Sequence, residues 1–231
     1  TLPGVFSGGG GLTKAGPGIL GINAVATFTG PTFINAGTLS IGAADRLTDS
    51  SPVTIGASGT LDINAGNETI GSLAGSGIVT TGSTTSGRTL TVGGDNTSTI
   101  FSGRLNGAIG NVLKKVGSGT LTLSSSTSSV WTGTTDFQSG VLRIGSTNPL
   151  ATNASMTIAN VAGGVARLVI GAGFSQTLGA NGSGTTALSF YGSNATVTSD
   201  ASVLIENGGV LTLGAANTTY NATGASTGNR Q

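Results

Sequence analysis

The side chains that could carry out chemistry in this chain are eight carboxylates, and the chain contains no imidazole or thiol beside them. The 231 residues include no His and no Cys, which excludes an imidazole base, a thiolate nucleophile and a zinc site of the usual ligand types. Glycoside cleavage needs two carboxylates that face one substrate, and calcium needs several converging oxygens. The candidates are Asp45, Asp49, Asp62, Glu68, Asp95, Asp136, Asp200 and Glu206.

Two groups of charges are close enough in sequence to be considered as sites. Asp45 and Asp49 flank Arg46 in a loop, and Asp136 with Arg143 occupies neighbouring exposed positions of a predicted sheet. Neither group recurs in the repeated copy of the sequence described below. We therefore interpret both as solvated charges and predict no catalytic residue and no metal site.

Two glycine motifs resemble ligand-binding loops. Gly16-x-Gly18-x-x-Gly21 is formally a dinucleotide fingerprint, but that chemistry needs a following helix and an acidic residue about twenty positions on, and neither is present. Gly93-Gly94-Asp95-Asn96 is a single fragment of a calcium-turn repeat. We predict that both are turns, and no cofactor is expected.

The balance of charge argues against a nucleic-acid partner. The formal net charge is +1, whereas phosphate neutralisation needs clustered Lys and Arg. The densest basic group is Lys114 and Lys115 with Arg104. Because Lys115 recurs as Lys14, we interpret this lysine as an outward charge that discourages pairing at a sheet edge.

An internal repeat organises the chain. LTKAGPGILGI at 12–22 recurs as LKKVGSGTLTL at 113–123, and FTGPTFINAGTLSIG at 28–42 recurs as WTGTTDFQSGVLRIG at 131–145. A third copy begins near 208–214. These matches predict one β-helix over 1–231, divided into the end of a preceding repeat (1–10), unit 1 (11–112), unit 2 (113–206) and the start of unit 3 (207–231).

Short alternating segments predict strands and almost no helix. Apolar residues alternate with Thr, Ser or small residues in pairs such as Leu39/Ile41, Leu121/Leu123 and Leu142/Ile144, which is the period of a β-strand. Similar short strands that recur suit a solenoid, in which each coil covers the last. Coils of about twenty residues give roughly 10 to 12 coils of a parallel β-helix. We expect aromatic residues before Ser/Thr-Gly to stack as a core ladder, namely Phe6, Phe28, Phe101 and Trp131.

The block at 117–145 resembles the passenger-associated repeat of bacterial autotransporters. The resemblance rests on Gly-x-Gly-Thr-Leu-Thr-Leu, aromatic-Thr-Gly and Gly-x-Leu-x-Ile-Gly, and the copies at 16–42 and from 208 extend it over nearly the whole chain. It implies a right-handed parallel β-helix that is exported and displayed or shed at the cell surface. No membrane span is expected, and the start at Thr1 without a leader suggests a processed or excised piece.

Three functions follow as hypotheses. The first is a non-catalytic stalk, spacer or fibre segment, which could stack end to end on itself or on further repeats. The second is an adhesin module that contacts glycan or host protein through loops at 124–130 or 80–88. A polysaccharide lyase or hydrolase is the least favoured.

Overall fold

The computed structural model is built from short β-strands. It describes residues 4–63, 65–81, 87–127, 129–160, 165–179, 187–192, 200–213 and 219–221, and these ranges contain no helix. The strands in chain order are β1 (Ser7–Gly8), β2 (Leu12–Lys14), β3 (Ile19–Ile22), β4 (Thr27–Phe28), β5 (Thr32–Ile41), β6 (Pro52–Asp62), β7 (Glu68–Ile70), β8 (Ser72–Gly75), β9 (Ile78–Thr80), β10 (Thr89–Val92), β11 (Thr99–Phe101), β12 (Arg104–Gly107), β13 (Val112–Lys115), β14 (Thr120–Leu123), β15 (Val130–Trp131), β16 (Thr134–Phe137), β17 (Gly140–Ile144), β18 (Ser155–Asn160), β19 (Val165–Ile170), β20 (Ser175–Leu178), β21 (Leu188–Gly192), β22 (Asp200–Ile205), β23 (Val210–Leu213) and β24 (Thr219–Asn221).

Successive strands of each coil lie on three faces of a parallel β-solenoid. Face 1 is a seven-stranded sheet of β7, β10, β13, β16, β18, β21 and β24. Face 2 contains β8, β11, β14, β17, β19 and β22, and face 3 contains β9, β12 and β15. The long strands β5 and β6 cross from face 2 to face 3, because β6 pairs with β8 at one end and with β9 at the other. Every pairing is parallel, which confirms the predicted all-β solenoid.

The core is a set of inward-facing columns. In β10, β14 and β16 the side chains alternate between half-buried and buried positions, which is the consequence of a two-residue period with one face covered. Ile55, Gly75, Phe101, Leu123, Ile144 and Ile170 follow one another in register through face 2. Because each coil covers the apolar side chains of the last, the stack forms one continuous core.

The described residues contain fewer coils than predicted. Face 1 contains seven stacked turns, and the amino-terminal coils do not bring the described solenoid to the roughly 10 to 12 coils expected from the sequence. The prediction assumed about twenty residues per coil. That length holds from Leu12 to Thr32, but the register steps lengthen to 26 residues at Gly75–Phe101 and 35 at Ile170–Ile205.

Asparagine side chains join the coils where the strand ladders end. The Oδ1 atoms of Asn67, Asn96, Asn111 and Asn148 each accept a backbone N–H from a neighbouring coil at 2.8–2.9 Å. A backbone N–H at a corner has no ladder partner, and leaving it unpaired in a buried position would be costly. The corner asparagines therefore continue the pairing between coils through the turns.

Candidate functional site

The first candidate group surrounds a buried carboxylate that the sequence did not single out. Glu68 is 1% exposed, and its Oε2 and Oε1 accept the backbone N–H groups of Arg46 and Leu47, both at 2.9 Å. Burial raises the pKa of Glu68 to about 7, and the nearby charges of Asp45 and Asp49 add to the rise, although the two N–H donors oppose it. Three carboxylates thus lie near one corner.

This corner has the chemistry of a structural cap. A raised carboxyl pKa is typical of a general acid, but both oxygens of Glu68 are occupied by main-chain donors and the side chain is buried. The coil at 43–51 has no strand on face 1, so the carboxylate takes the place of the missing ladder. The signal was available in the sequence, because Glu68 and Ile70 occupy the same inward phase of β7.

The second candidate pair is separated by the fold. Asp136 lies on face 1, where its Oδ2 accepts a hydrogen bond from Gln138 at 2.9 Å and lies 3.8 Å from Lys114 Nζ. Arg143 lies on face 2 and forms two bonds with Glu206, at 2.7 and 2.6 Å. The two residues therefore do not form one site. Arg143, through its hydrogen bonds and charge, holds the pKa of Glu206 below its usual value.

Gly93–Asn96 forms a corner in which Asp95 Oδ1 and Asn96 Oδ1 accept hydrogen bonds from the chain itself. Asp95 Oδ1 accepts the N–H and the hydroxyl of Thr97 at 2.9 and 2.8 Å. Asn96, with a φ of +61°, reaches the next coil and accepts from Ser118 N at 2.8 Å. Nowhere in the described part of the chain do three or more Asp or Glu side chains come together as a metal site would require.

The lysine of the repeat points inward, so the prediction of an outward edge charge was wrong. Lys115 is 1% exposed and Lys14 is 6% exposed. Lys115 Nζ donates to the carbonyls of Val116, Gly117 and Ser139 at 2.6, 3.0 and 3.2 Å. Its methylene stem is buried with the rest of the side chain, and the ammonium satisfies three carbonyls at the corner.

Lys14 makes the same three contacts in the first copy. Its Nζ donates to Ala15, Gly16 and Ala36 at 3.2, 2.7 and 2.9 Å. A Cβ at Gly37 would come within 2.7 Å of the ammonium, and the φ of +68° at this residue already favours glycine. The repeat therefore encodes a buried ammonium clasp that joins two consecutive coils. Burial lowers the pKa of Lys115 to about 8.

The aromatic residues lie in the core but do not stack on one another. Phe28, Phe101 and Trp131 are at most 4% exposed, and Phe6 is half-buried. Each of the three buried rings is paired in register with a glycine of the preceding coil: Gly8, Gly75 and Gly107, respectively. A Cβ at Gly107 would overlap the Trp131 ring. The predicted stack of aromatic rings is therefore not formed, and at Gly107 the absence of a side chain leaves the space that the Trp131 ring occupies.

The residues that repeat between the two copies point inward. In the second copy the matched residues other than glycine and Thr132 are buried: Leu113, Lys115, Leu121, Leu123, Thr135, Leu142 and Ile144. Most outward positions differ between the copies, as in Thr13/Lys114, Ile19/Thr120, Gly21/Thr122, Thr38/Val141 and Ser40/Arg143, whereas Thr29 and Thr132 are identical. The repeat thus specifies the interior of the solenoid and leaves the outer surface free to vary.

The two copies also lie on different faces. The strand pairings that start at Lys14 lead through five coils to Leu123, so Lys14 lies on face 2. The equivalent residue of the second copy, Lys115, belongs to β13 on face 1. The repeat is therefore not a whole number of coils, and equivalent outward positions point in different directions. The unit boundaries at 11–112 and 113–206 stay predictions.

These features define a class of protein: a repeat β-solenoid whose sequence motif encodes its core. A model of the passenger-associated-transport-repeat family matches residues 12–41 and 113–144. The chain is 34% identical over 246 residues to the adhesin BmaC autotransporter of Brucella suis biovar 1 (strain 1330), across 97% of this chain and 7% of the adhesin. No solved structure matches it significantly.

The chain is therefore passenger sequence of the autotransporter type. Membership of this family implies export to the cell surface. The chain spans a small fraction of the length of the adhesin it matches. Within the described ranges there is no helix of the length and apolar character that a membrane crossing requires.

Proposed function

We propose that this segment is a non-catalytic scaffold of a surface protein, a stalk or spacer that holds a variable outer surface. The observation that carries the proposal is the direction of the repeated side chains. The matched apolar residues, the lysine and the Thr32/Thr135 pair contribute to the interior, while most outward positions change from copy to copy. A motif that is reused mainly for its core supports a structural role.

The test exchanges outward and inward positions separately. One variant places second-copy residues at outward positions of the first copy, as Thr13→Lys, Ile19→Thr, Thr38→Val and Ser40→Arg. Surface substitutions each change stability by up to about 0.5 kcal/mol, so this variant should unfold near the wild-type urea midpoint. A matched variant changes four inward residues to Thr: Leu20, Ile22, Leu39 and Ile41.

The inward variant should lose the amino-terminal coils. Removing a buried Leu or Ile side chain costs about 2–5 kcal/mol each, and burying the Thr hydroxyl adds a further penalty. Far-UV circular dichroism and proteolysis measure the loss. Equal destabilisation by the two sets would contradict the scaffold assignment, because it would mean that the outer surface is also required for folding.

Adhesion by the outer surface is a second candidate, favoured by the matched relative being named an adhesin. Of the two loops that the sequence suggested, 124–130 exposes Ser126, Thr127 and Val130, and residue 128 lies outside the described residues. Ser125 Oγ donates to Thr127 O at 2.8 Å. Residues 82–86 of the other loop lie outside the described residues. Exposed hydroxyl groups such as those of Ser126 and Thr127 suit contact with a glycan or host-protein surface.

The adhesion experiment uses glycan arrays and binding to host cells. A Ser126→Asp/Thr127→Asp variant should fold normally and lose binding, and a Thr54→Asp control should retain it, since Thr54 is outward on β6. Binding at background level for the wild-type chain would count against adhesion and leave the scaffold role in place.

The absence of catalysis is part of the proposal. It is supported by the occupied oxygens of Glu68 and by the separation of Asp136 from Arg143. Turnover of a polysaccharide that disappears in Asp45→Ala or Asp136→Ala would refute it.

A further inference from the structure

Asparagine directly before glycine is a dipeptide whose side-chain amide can be attacked by its own main chain. Glycine has no Cβ to shield its nitrogen, and it rotates more freely than any other residue. The chain contains three such pairs, which begin at Asn106, Asn181 and Asn207, and Asn181 lies outside the described residues. The other two pairs have the same chemistry in different surroundings, so the fold decides which of them can react.

Asn207 and Gly208 form the tip of an exposed turn between β22 and β23. Gly209 N donates to Glu206 O at 2.8 Å, and Gly208 has a φ of +75°, which is the geometry of a type II turn. Both residues of the pair are exposed. Among the described residues, neither Gly208 N nor the Asn207 side chain has a hydrogen-bond partner. The attacking nitrogen and the amide are therefore both accessible to water.

The same corner one coil earlier shows that stacking leaves this position exposed. There Phe174 N donates to Gly171 O at 3.1 Å, and Gly173 has a φ of +73°. The coil of β22 lies directly on this corner, because Gly173 N donates to Asn207 O at 3.2 Å. Ala172 and Gly173 are nevertheless exposed. The outer side of the corner thus stays open to solvent when another coil covers it.

Asn106 and Gly107 are protected by strand pairing on both sides. They belong to β12, which pairs with β9 and with β15. Asn106 O accepts Thr81 N at 3.0 Å, and Gly107 O accepts Thr132 N at 2.9 Å. Gly107 is also buried against the Trp131 ring. Turning Gly107 N towards the Asn106 side chain would break this pairing, so the reaction has to wait for local opening.

We propose that Asn207–Gly208 is a self-modifying site, at which the asparagine converts to aspartate or isoaspartate. Gly208 N gives up its proton and bonds to Asn207 Cγ, while the bond from Cγ to the side-chain nitrogen breaks and ammonia leaves. Water then opens the cyclic imide. Its addition at Cγ gives aspartate, and its addition at the main-chain carbonyl carbon gives isoaspartate, in which the chain runs through the former side chain.

The product changes the surface beside an ion pair that joins coils. Glu206 accepts two bonds from Arg143, at 2.7 and 2.6 Å, and one from Ala172 N at 3.0 Å. A new carboxylate at the next residue repels Glu206, and isoaspartate lengthens the main chain inside the turn. One added carboxylate also takes the formal net charge from +1 to 0. This site goes beyond the scaffold role and does not depend on adhesion.

The test follows the folded chain during incubation at mildly alkaline pH. Isoelectric focusing should show an acidic product that accumulates, and mass spectrometry of peptides cut after Glu206 should locate the conversion at Asn207. Conversion at Asn106 should be at least about tenfold slower, because it requires opening of β12. In urea-unfolded chain the two sites should convert at similar rates.

Two variants complete the experiment. Asn207→Ala, which introduces the residue of the preceding corner, should keep the wild-type circular dichroism spectrum and form less acidic product. Asn207→Asp should focus with the acidic product from the start. Equal conversion of Asn106 and Asn207 in the folded chain would overturn the proposal, because the fold would then select neither pair. An unchanged Asn207 in the folded chain, or as much acidic product from Asn207→Ala as from the wild type, would overturn it as well.

Discussion

Replacing Lys115 by methionine tests whether the repeat's lysine is a core element. The substitution keeps the apolar stem and removes the ammonium, so the carbonyls of Val116, Gly117 and Ser139 lose their donor. Each buried carbonyl left without a donor costs about 1–3 kcal/mol, so the three together cost roughly 3–9 kcal/mol, and relief from burying the ammonium offsets several kcal/mol of this cost. The expected net loss of stability is up to about 4 kcal/mol.

The matched control is Lys114→Met, the same change one residue earlier in β13. Lys114 points outward, its side chain is 33% exposed, and its Nζ lies 3.8 Å from Asp136. A surface ion pair of this kind contributes up to about 1 kcal/mol. Urea unfolding followed by circular dichroism should give Lys115→Met a clearly lower midpoint than Lys114→Met. Amide exchange in β13 and β16 should likewise be faster in Lys115→Met. Equal midpoints for the two variants would refute the clasp.

Three further substitutions probe other contacts of the core. Burial raises the pKa of Glu68 to about 7. Its contribution to the free energy of unfolding is therefore fully present below pH 4.5 and decreases by up to about 3 kcal/mol as the pH rises through 7. The difference in stability between wild type and Glu68→Gln should change over this interval, and a constant difference would contradict the raised pKa. Gly107→Ala should cost about 1–3 kcal/mol because its Cβ overlaps the Trp131 ring, whereas Gly94→Ala meets nothing within 4 Å and should leave the urea midpoint unchanged. Thr135 Oγ1 is buried without a hydrogen bond among the described residues, so Thr135→Val should raise stability by about 1 kcal/mol, and a lower midpoint would show that the hydroxyl has a partner.

The fold class could be predicted from the sequence because it depends on local patterns. Alternation such as Leu121/Leu123 requires only that one side of a strand be covered, and glycines between such pairs indicate corners. The number of coils was predicted less accurately than the fold class. Insertions lengthen individual coils without disturbing the alternation, so the step of 35 residues between Ile170 and Ile205 has no signature in the pattern.

The candidate site, like the fold, could be predicted from the sequence only in part. Separation of Asp136 from Arg143 follows from a corner between face 1 and face 2, which places them on different sheets. The role of Glu68 depends on two main-chain N–H groups that lie 21 and 22 residues earlier and become neighbours only when coils stack. A sequence shows a charged residue at an inward phase but not the partner that makes its burial tolerable.

The sequence by itself determined that this is a repetitive, parallel β protein whose periodic side chains recur together, because strand alternation and turn formation are properties of a few neighbouring residues. Only the tertiary structure decided the direction of the repeated lysine, the glycine that leaves space for the Trp131 ring and the face on which each copy lies. Those features depend on the register between coils, and register is set by packing across steps of twenty or more residues.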